Sequence, residues 1–183
     1  MTEKFTDCMI DFETLGLAPD SKTMQFGWVF FNRRGDKKMV GASRFFDLEE
    51  QEALGRTELK STVEFWKRQP TALYQKMQSG DKTVEQILRS YVKSWNKYAR
   101  PNTWLWSKGA SFDQPILTGL FDEVVSLSHP AHYANSRCVR TLGALFPEEK
   151  HLFAAQQAHD AKSDCIAQVR TVRSIYEDNP NIK

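Results

Sequence analysis

The chain has 183 residues, of which 40% are hydrophobic and 12% aromatic, so it can bury a full core and is not intrinsically disordered. Its 25 basic and 23 acidic residues give a net charge of only +2, so the overall charge does not indicate a nucleic-acid binder, and a local patch would have to hold any such partner. We expect a single domain over residues 1–183, with a short tail over about 178–183.

The chain has no apolar run of about 18 residues that would predict a transmembrane helix, and its start does not resemble a secretory leader. Cys8, Cys138 and Cys165 are odd in number and far apart, without metal-ligand spacing, which indicates free thiols in a reducing compartment. These features predict a cytoplasmic protein with no membrane partner.

The first part of the chain predicts β-structure. The apolar run Cys8-Met9-Ile10 lies in a strand predicted over 7–12, and stretches rich in β-formers predict strands over 23–32 and 38–46. The turn residues Arg33-Arg34-Gly35-Asp36 separate the last two strands. We therefore expect an antiparallel meander that begins with the strand over 7–12.

Helical signals follow the meander. Ser61-Thr62-Val63-Glu64 and Thr83-Val84-Glu85-Gln86 both have capping-box spacing, the first opening a helix that ends at Pro70 and the second an amphipathic helix to about residue 98. A short aromatic strand is predicted over 103–107, and further helices over 71–78, 112–121, 136–146 and 160–177. This order predicts an α/β or α+β domain with a mixed sheet.

Two carboxylates end the first predicted strand. Asp11 and Glu13 are two residues apart, so in a strand they point to the same face. Like charges this close repel each other and become favourable when a divalent cation lies between them. The alternative is a pair of solvated acids on an edge strand.

Three later residues have ordinary explanations when each is taken alone. Asp113, near the start of a predicted helix, is typical of an acid that complements the helix dipole, and Asp164 is typical of a solvated helix acid. His159 stands five residues before Asp164, where a histidine is usually a surface or satisfied residue. Only their order, together with Asp11 and Glu13, indicates a common site.

The combined pattern resembles the DEDD exonucleases of the ribonuclease-H-like superfamily, in the DnaQ-like subclass (DEDDh) that has His rather than Tyr in its third motif. The three stretches that carry the resemblance are Asp11-Phe12-Glu13-Thr14-Leu15-Gly16, Lys108-Gly109-Ala110-Ser111-Phe112-Asp113-Gln114-Pro115-Ile116-Leu117 and His159-Asp160-Ala161-Lys162-Ser163-Asp164. Residues 61–69 and 137–142 look like segments of bacteriophage DexA-type exodeoxyribonucleases and of related small bacterial exoribonucleases.

The resemblance covers most of the chain and implies an α/β fold, a ribonuclease-H-like mixed five-stranded sheet flanked by helices. It implies a hydrolase that cuts phosphodiester bonds from a free 3′ end of nucleic acid and releases nucleoside 5′-monophosphates. The likeness to phage enzymes favours DNA over RNA, with an exoribonuclease of the same fold as the alternative. A phage-encoded protein of this kind would act in the host cytoplasm.

The resemblance also implies the residues that carry the chemistry. Asp11 would bridge two divalent ions about 3.5–4 Å apart, with Glu13, Asp113 and Asp164 completing their coordination. Carboxylate ligands suit Mg²⁺ or Mn²⁺ rather than zinc. His159 would take a proton from the attacking water, since imidazole titrates near neutral pH.

The expected substrate contacts follow the same motifs. Thr14, Leu15 and Gly16 would grip the terminal nucleotide through the backbone and a small apolar side chain, by resemblance. Phe112 would stack on a base or pack in the core.

Two further side chains have two interpretations each. Trp66 would form a rim over the substrate or belong to the core, which its helical spacing favours. Arg140 would contact phosphate or remain solvated. Trp104 and Trp106, on a short strand, are predicted to lie in the core.

Two other functions have to be weighed against the exonuclease. A catalytically silent nucleic-acid-binding protein could keep the fold, but it would have no need of the intact set of four acids and His159. A ribonuclease-H-like endonuclease would share the metal chemistry without the His-x4-Asp ending. The sequence favours the exonuclease over both.

Overall fold

The computed structural model describes residues 3–124, 126–147 and 153–182. Its centre is a five-stranded sheet in the order β3-β2-β1-β4-β5, in which β1–β2 and β2–β3 are antiparallel and β1–β4 and β4–β5 parallel. The strands are β1 (Phe5–Thr14), β2 (Thr23–Phe31), β3 (Met39–Phe45), β4 (Ala99–Ser107) and β5 (Ser136–Cys138). The mixed five-stranded sheet and the opening meander are thus confirmed.

Seven α-helices surround the sheet within the described part of the chain. They are α1 (Leu48–Ala53), α2 (Lys60–Lys67), α3 (Thr71–Gln78), α4 (Val84–Tyr98), α5 (Asp113–Glu123), α6 (Val139–Leu145) and α7 (Ala161–Asp178). None of these helices is both long enough and apolar enough to cross a membrane. The three cysteines are free thiols, as expected.

The alternation of β1 decides on which side of the sheet its acids lie. Ile10 and Phe12 pack in the core cluster under α4 and α5, whereas Met9 packs in the cluster under α6 and α7. Since alternate residues of a strand share a face, Asp11 and Glu13 lie on the same side as Met9. The two acids are therefore covered by α7.

The start of α7 is attached directly to β2. Gln25 accepts a hydrogen bond from the Ala161 amide (2.9 Å) and donates one to the Asp160 carboxylate (3.2 Å), which also caps the helix. Gly27, the pairing partner of Asp11, lets the helix backbone come close, because a Cβ on Gly27 would lie 2.5 Å from the Ala161 carbonyl carbon. This contact brings the first turn of α7 next to Asp11.

The structure corrects the predicted helix over 136–146. Its first three residues form β5, in which Ser136 and Cys138 pair with β4, and α6 begins only at Val139. Three strand residues are too few to show a periodicity, and their pairing depends on β4 being already in place. Helix α1, capped by Asp47, was not predicted.

The two predicted capping boxes have different outcomes. The Thr83–Gln86 box is present, with both of its hydrogen bonds. The Ser61 box is wrong, because α2 begins at Lys60 after Leu59, which gives no side-chain cap. The Leu59 amide donates to the Leu15 carbonyl (2.8 Å), and this contact fixes where α2 starts.

A test of the close contact is the substitution Gly27→Ala. The added methyl group has no room against the backbone of α7, so we expect the free energy of unfolding to fall by about 1–3 kcal/mol. The matched control is Gly119→Ala in α5, where the methyl would meet the Pro19 carbonyl oxygen at 3.4 Å, an ordinary contact. Urea unfolding measures both, and equal stability in the two variants would contradict the packing described here.

Candidate active site

Three carboxylates meet where β1 ends and α7 begins. Oxygen atoms of Asp11, Glu13 and Asp164 all lie within 4.8 Å of one another, and each side chain is partly buried. They line a cleft of about 350 Å³ together with Asp113 and His159. The structure thus brings all five predicted catalytic residues to one cleft.

Asp113 is next to this group but is held differently. It is the first residue of α5, only 3% exposed, and its Oδ1 accepts a hydrogen bond from the Phe12 amide (3.2 Å). Its carboxylate therefore contacts β1 between Asp11 and Glu13, a role that helix-dipole complementation alone does not explain. It lies outside the closest group of three.

The electrostatics of the cluster are those of like charges with little access to water. Burial raises the pKa of Asp11 well above its usual value, and the charges of Asp113, Glu13 and Asp164 raise it further. The pKa of Glu13 rises from 4.5 to about 8, mainly through burial and then through neighbouring carboxylates. Burial also raises the pKa of Asp113, to about 7. Such groups gain most from a cation placed among them.

Basic side chains flank the acids without pairing to them. Burial raises the pKa of Asp164, while the charges of His159 and Lys108 act in the opposite direction. Arg140 likewise opposes the rise in the pKa of Asp113. Lys108 and Arg140 are exposed, line the cleft and form no ion pair among the described residues.

His159 has an unusual backbone and an aromatic support. Its φ of 59° is left-handed, a region in which histidine is tolerated better than most side chains. The imidazole meets the rings of Phe65 and Trp66 edge to face, with centroids 5.2 and 5.7 Å away. These contacts hold the ring at the cleft, just before the Asp160 cap of α7.

Trp66 itself belongs to the core. It is 2% exposed, and its indole N–H donates to the Thr14 carbonyl (2.9 Å). The burial of Trp66 supports the core alternative, although the residue also lines the cleft that contains Phe65. Its neighbour Phe65, which the sequence did not single out, is 39% exposed and faces solvent instead.

The side chains of residues 14 and 15, which follow the two acids, are buried and not free to bind a nucleotide as expected. The Leu15 side chain is buried with Met24 and Trp66, so it cannot grip a nucleotide. The Thr14 hydroxyl is also buried and donates to the Gly16 carbonyl (2.6 Å). A side chain on Gly16 would collide with Ser21, which explains the glycine there.

An exposed apolar residue lies just beyond this stretch. Leu17 is 67% exposed and lines a second cleft of about 320 Å³, next to the first. The two clefts share Phe12, Glu13 and Phe112, and Phe65 stands on the wall of the second. Phe112 is half-buried, so part of its ring faces the clefts.

The two tryptophans of β4 differ in burial. Trp106 lies in the core, but Trp104 is only half-buried, with the guanidinium groups of Arg33 and Arg137 3.7 and 4.0 Å from its ring centroid. The prediction that both lie in the core is therefore correct for Trp106 alone.

Gln168, which was not predicted, lines the first cleft one helical turn after Asp164. That i, i+4 spacing on a polar face was a signal that could have found it.

The donor set is compatible with a hard divalent cation. The three closest ligand atoms are carboxylate oxygens, and among the described residues no cysteine and no histidine other than His159 lines the cleft. Oxygen ligands of this kind suit Mg²⁺ or Mn²⁺. Burial raises the pKa of Asp11 and of Glu13 first of all, and repulsion between the acids raises both further, so a cation among them would counteract the repulsion.

Comparison with known proteins identifies the family. A model of the 3′-5′ exoribonuclease Rv2179c-like domain matches residues 6–176, almost the whole chain. The chain belongs to this family. Its predicted 3′→5′ exonuclease activity and its class as a hydrolase are thereby confirmed, and the family implies dependence on a divalent metal.

A curated relative of this Rv2179c-like domain is the exodeoxyribonuclease of Enterobacteria phage T4. The two sequences are 26% identical over an alignment of 197 positions, gaps included. The alignment covers 89% of this chain and 86% of the phage protein. One relationship is thus to a family described as exoribonucleases and the other to a deoxyribonuclease.

Solved structures of exonuclease I share the fold of the Rv2179c-like domain. The zinc-bound complex of E. coli exonuclease I with single-stranded DNA has a TM-score of 0.67 at 14% identity and covers 98% of this chain. Exonuclease I from Methylocaldum szegediense has a TM-score of 0.64 at 15% identity. The chain spans 42% and 41% of these two proteins. The predicted ribonuclease-H-like fold is confirmed.

The raised pKa of Glu13 predicts how stability depends on pH. The folded protein binds this proton more tightly than the unfolded chain, so the contribution is fully present below pH 4.5 and is lost as pH rises through about 8. In EDTA, the melting temperature of the wild type should fall across that window more steeply than that of Glu13→Gln. Saturating Mg²⁺ should reduce the wild-type fall. Parallel curves for the two proteins in EDTA would rule out this assignment.

Proposed function

We propose that the chain shortens single strands of nucleic acid from the 3′ end, one nucleotide at a time, with two Mg²⁺ or Mn²⁺ ions held by Asp11, Glu13, Asp113 and Asp164. The observation that carries the proposal is the group of three carboxylates within 4.8 Å, with Asp113 bound to the strand between two of them. Their mutual repulsion makes the empty cluster unfavourable and a cation-filled one favourable.

Each acid has a task that follows from its place. The charges of Glu13, Asp113 and Asp164 all act on Asp11. Asp11 is therefore the residue proposed to hold both ions, and the other three acids would complete their coordination. Bound cations of this type lower the pKa of water to supply a nucleophile, and they neutralise charge on the phosphate and the leaving 3′ oxygen. The acids themselves fix the positions at which that charge is neutralised.

His159 is proposed to accept the proton of the attacking water. It lines the cleft beside Asp164, and the edges of Phe65 and Trp66 orient its ring. A histidine is effective as a base near neutral pH, because it is partly unprotonated there.

The clefts suggest how the end of a strand is held. Phe112 and Phe65 offer aromatic surface, and Leu17 an apolar one, on the walls around the second cleft. A terminal base stacked there would leave its phosphate at the acids, near the cationic side chains of Arg140 and Lys108. Both clefts have the size of small-ligand pockets, which favours an unpaired terminal nucleotide over a duplex.

DNA is the proposed substrate, because the phage relative that matches 89% of this chain is an exodeoxyribonuclease. The exonuclease I complex with single-stranded DNA shares the fold. RNA is the second candidate, because the matching family is described as exoribonucleases. The two differ by the 2′-hydroxyl, so matched oligomers separate them.

The proposal is tested with 5′-labelled DNA and RNA oligomers of the same sequence, with Mg²⁺, Mn²⁺ or EDTA. We expect a stepwise ladder with either cation, faster on DNA, and no products in EDTA or with Asp11→Ala. Internal cuts would indicate an endonuclease. Activity that persists in EDTA would refute the cation mechanism, and a faster ladder on RNA would transfer the proposal to the second candidate.

The role of His159 is tested by His159→Asn, since asparagine tolerates the same left-handed backbone. The variant should be slower by about 10²–10⁴, because a general base contributes about that much. Its rate should recover partly at high pH as hydroxide replaces the base, while its cation affinity stays that of the wild type. Single-turnover rates against pH measure this. If the single-turnover rates of the variant and the wild type are equal from about pH 6 to about pH 9, His159 has no catalytic role.

A further inference from the structure

Helix α7 brings a second polar side chain to the acid cluster. Gln168 lies one turn after Asp164, lines the same cleft and is only 7% exposed. Its Nε2 donates a hydrogen bond of 2.8 Å to Oδ1 of Asp11. Its Oε1 is shielded from solvent and has no hydrogen-bond partner within the described ranges 3–124, 126–147 and 153–182.

The orientation of this amide follows from its neighbour. Asp11 is ionised when it acts as a cation ligand, and an ionised carboxylate only accepts hydrogen bonds, whereas of the two ends of a glutamine amide only the NH₂ group donates. The opposite orientation would place two acceptors against each other. Gln168 therefore favours the charged form of Asp11, in contrast to the neighbouring acids Glu13, Asp113 and Asp164, which all disfavour it.

The second observation that points to a role at the site is that Gln168 Oε1 has no hydrogen-bond partner among the described residues. A buried acceptor without a donor is costly and rare in folded proteins, so its position in a functional cleft needs an explanation. A water molecule in the coordination shell of a cation is a strong hydrogen-bond donor. Such a water would satisfy the atom in a cleft already lined by four carboxylates.

We infer that Gln168 is a positioning residue for the cation site: it holds the Asp11 carboxylate in place through Nε2 and receives a cation-bound water at Oε1. The inference rests on the proposed function, since it takes Asp11 as a cation ligand. Residues that orient metal ligands in this way commonly change cation affinity by about 10–100-fold when they are replaced.

A purely structural role for Gln168 makes a different prediction. Its side chain would then only pack α7 against β1, and a nonpolar side chain of similar length would serve as well. Gln51 offers a matched control, because it is a fully buried glutamine that binds Thr23 at 2.7–2.8 Å and does not line the cleft. Replacing it should reduce stability without changing cation affinity.

The experiment is calorimetric titration of the whole chain with Mn²⁺ in the absence of substrate. Gln168→Met keeps the length of the side chain, and Gln168→Leu serves if that variant fails to fold. We expect the Mn²⁺ affinity to fall about 10–100-fold, with a melting temperature in EDTA close to that of the wild type. Turnover should recover when Mn²⁺ is raised to saturation, whereas Gln51→Met should bind Mn²⁺ like the wild type.

The outcomes distinguish a failure of the inference about Gln168 from a failure of the proposed cation site. If the wild type itself binds no Mn²⁺, or Asp11→Asn binds it equally well, the cation site of the proposed function is wrong. If Asp11→Asn loses binding but Gln168→Met retains it, only the inference fails. Equal losses in Gln168→Met and Gln51→Met would also overturn it, because the effect would then be general loosening of the fold.

Discussion

Repulsion among buried carboxylates is the constraint on which the rest of this structure depends. Asp11, Glu13 and Asp164 are held within 4.8 Å although burial and proximity both disfavour their charged forms. The surrounding fold must supply the free energy that keeps them together. The main source of this stabilising free energy is the aromatic core on the other face of the sheet, which contains rings such as those of Phe26 and Trp28.

Two local devices oppose that repulsion. The Phe12 amide fixes Asp113 on the strand, and Gln25 with Gly27 fixes the start of α7 against β2. The donors are the backbone N–H of Phe12 and of Ala161, which carry no formal charge, so these contacts position the acids without adding a positive charge to the site. The place of a counter-charge among the acids is thereby left to a cation.

The sequence predicted those parts of the molecule that depend on local periodicity. Alternation in β1 placed Asp11 and Glu13 on one face, and the helix predicted over 160–177 is α7 within one residue at each end. What it missed depends on contacts distant in the chain. The start of α2 is fixed by Leu59 binding Leu15, and β5 exists only because β4 pairs with it. For the same reason Leu15 could not be told from Leu17, since only the packing around Trp66 decides which one is buried.

The left-handed backbone at His159 has a consequence for how such a protein could change over time. Most residues would strain this position, but asparagine fits it, and a single base change converts a histidine codon into an asparagine codon. The ring lies at the edge of the cleft rather than in the core, so its loss leaves the acids and the clefts in place. If His159 has the role proposed for it, one point mutation therefore leads to a much slower exonuclease whose cleft for a 3′ end is unchanged.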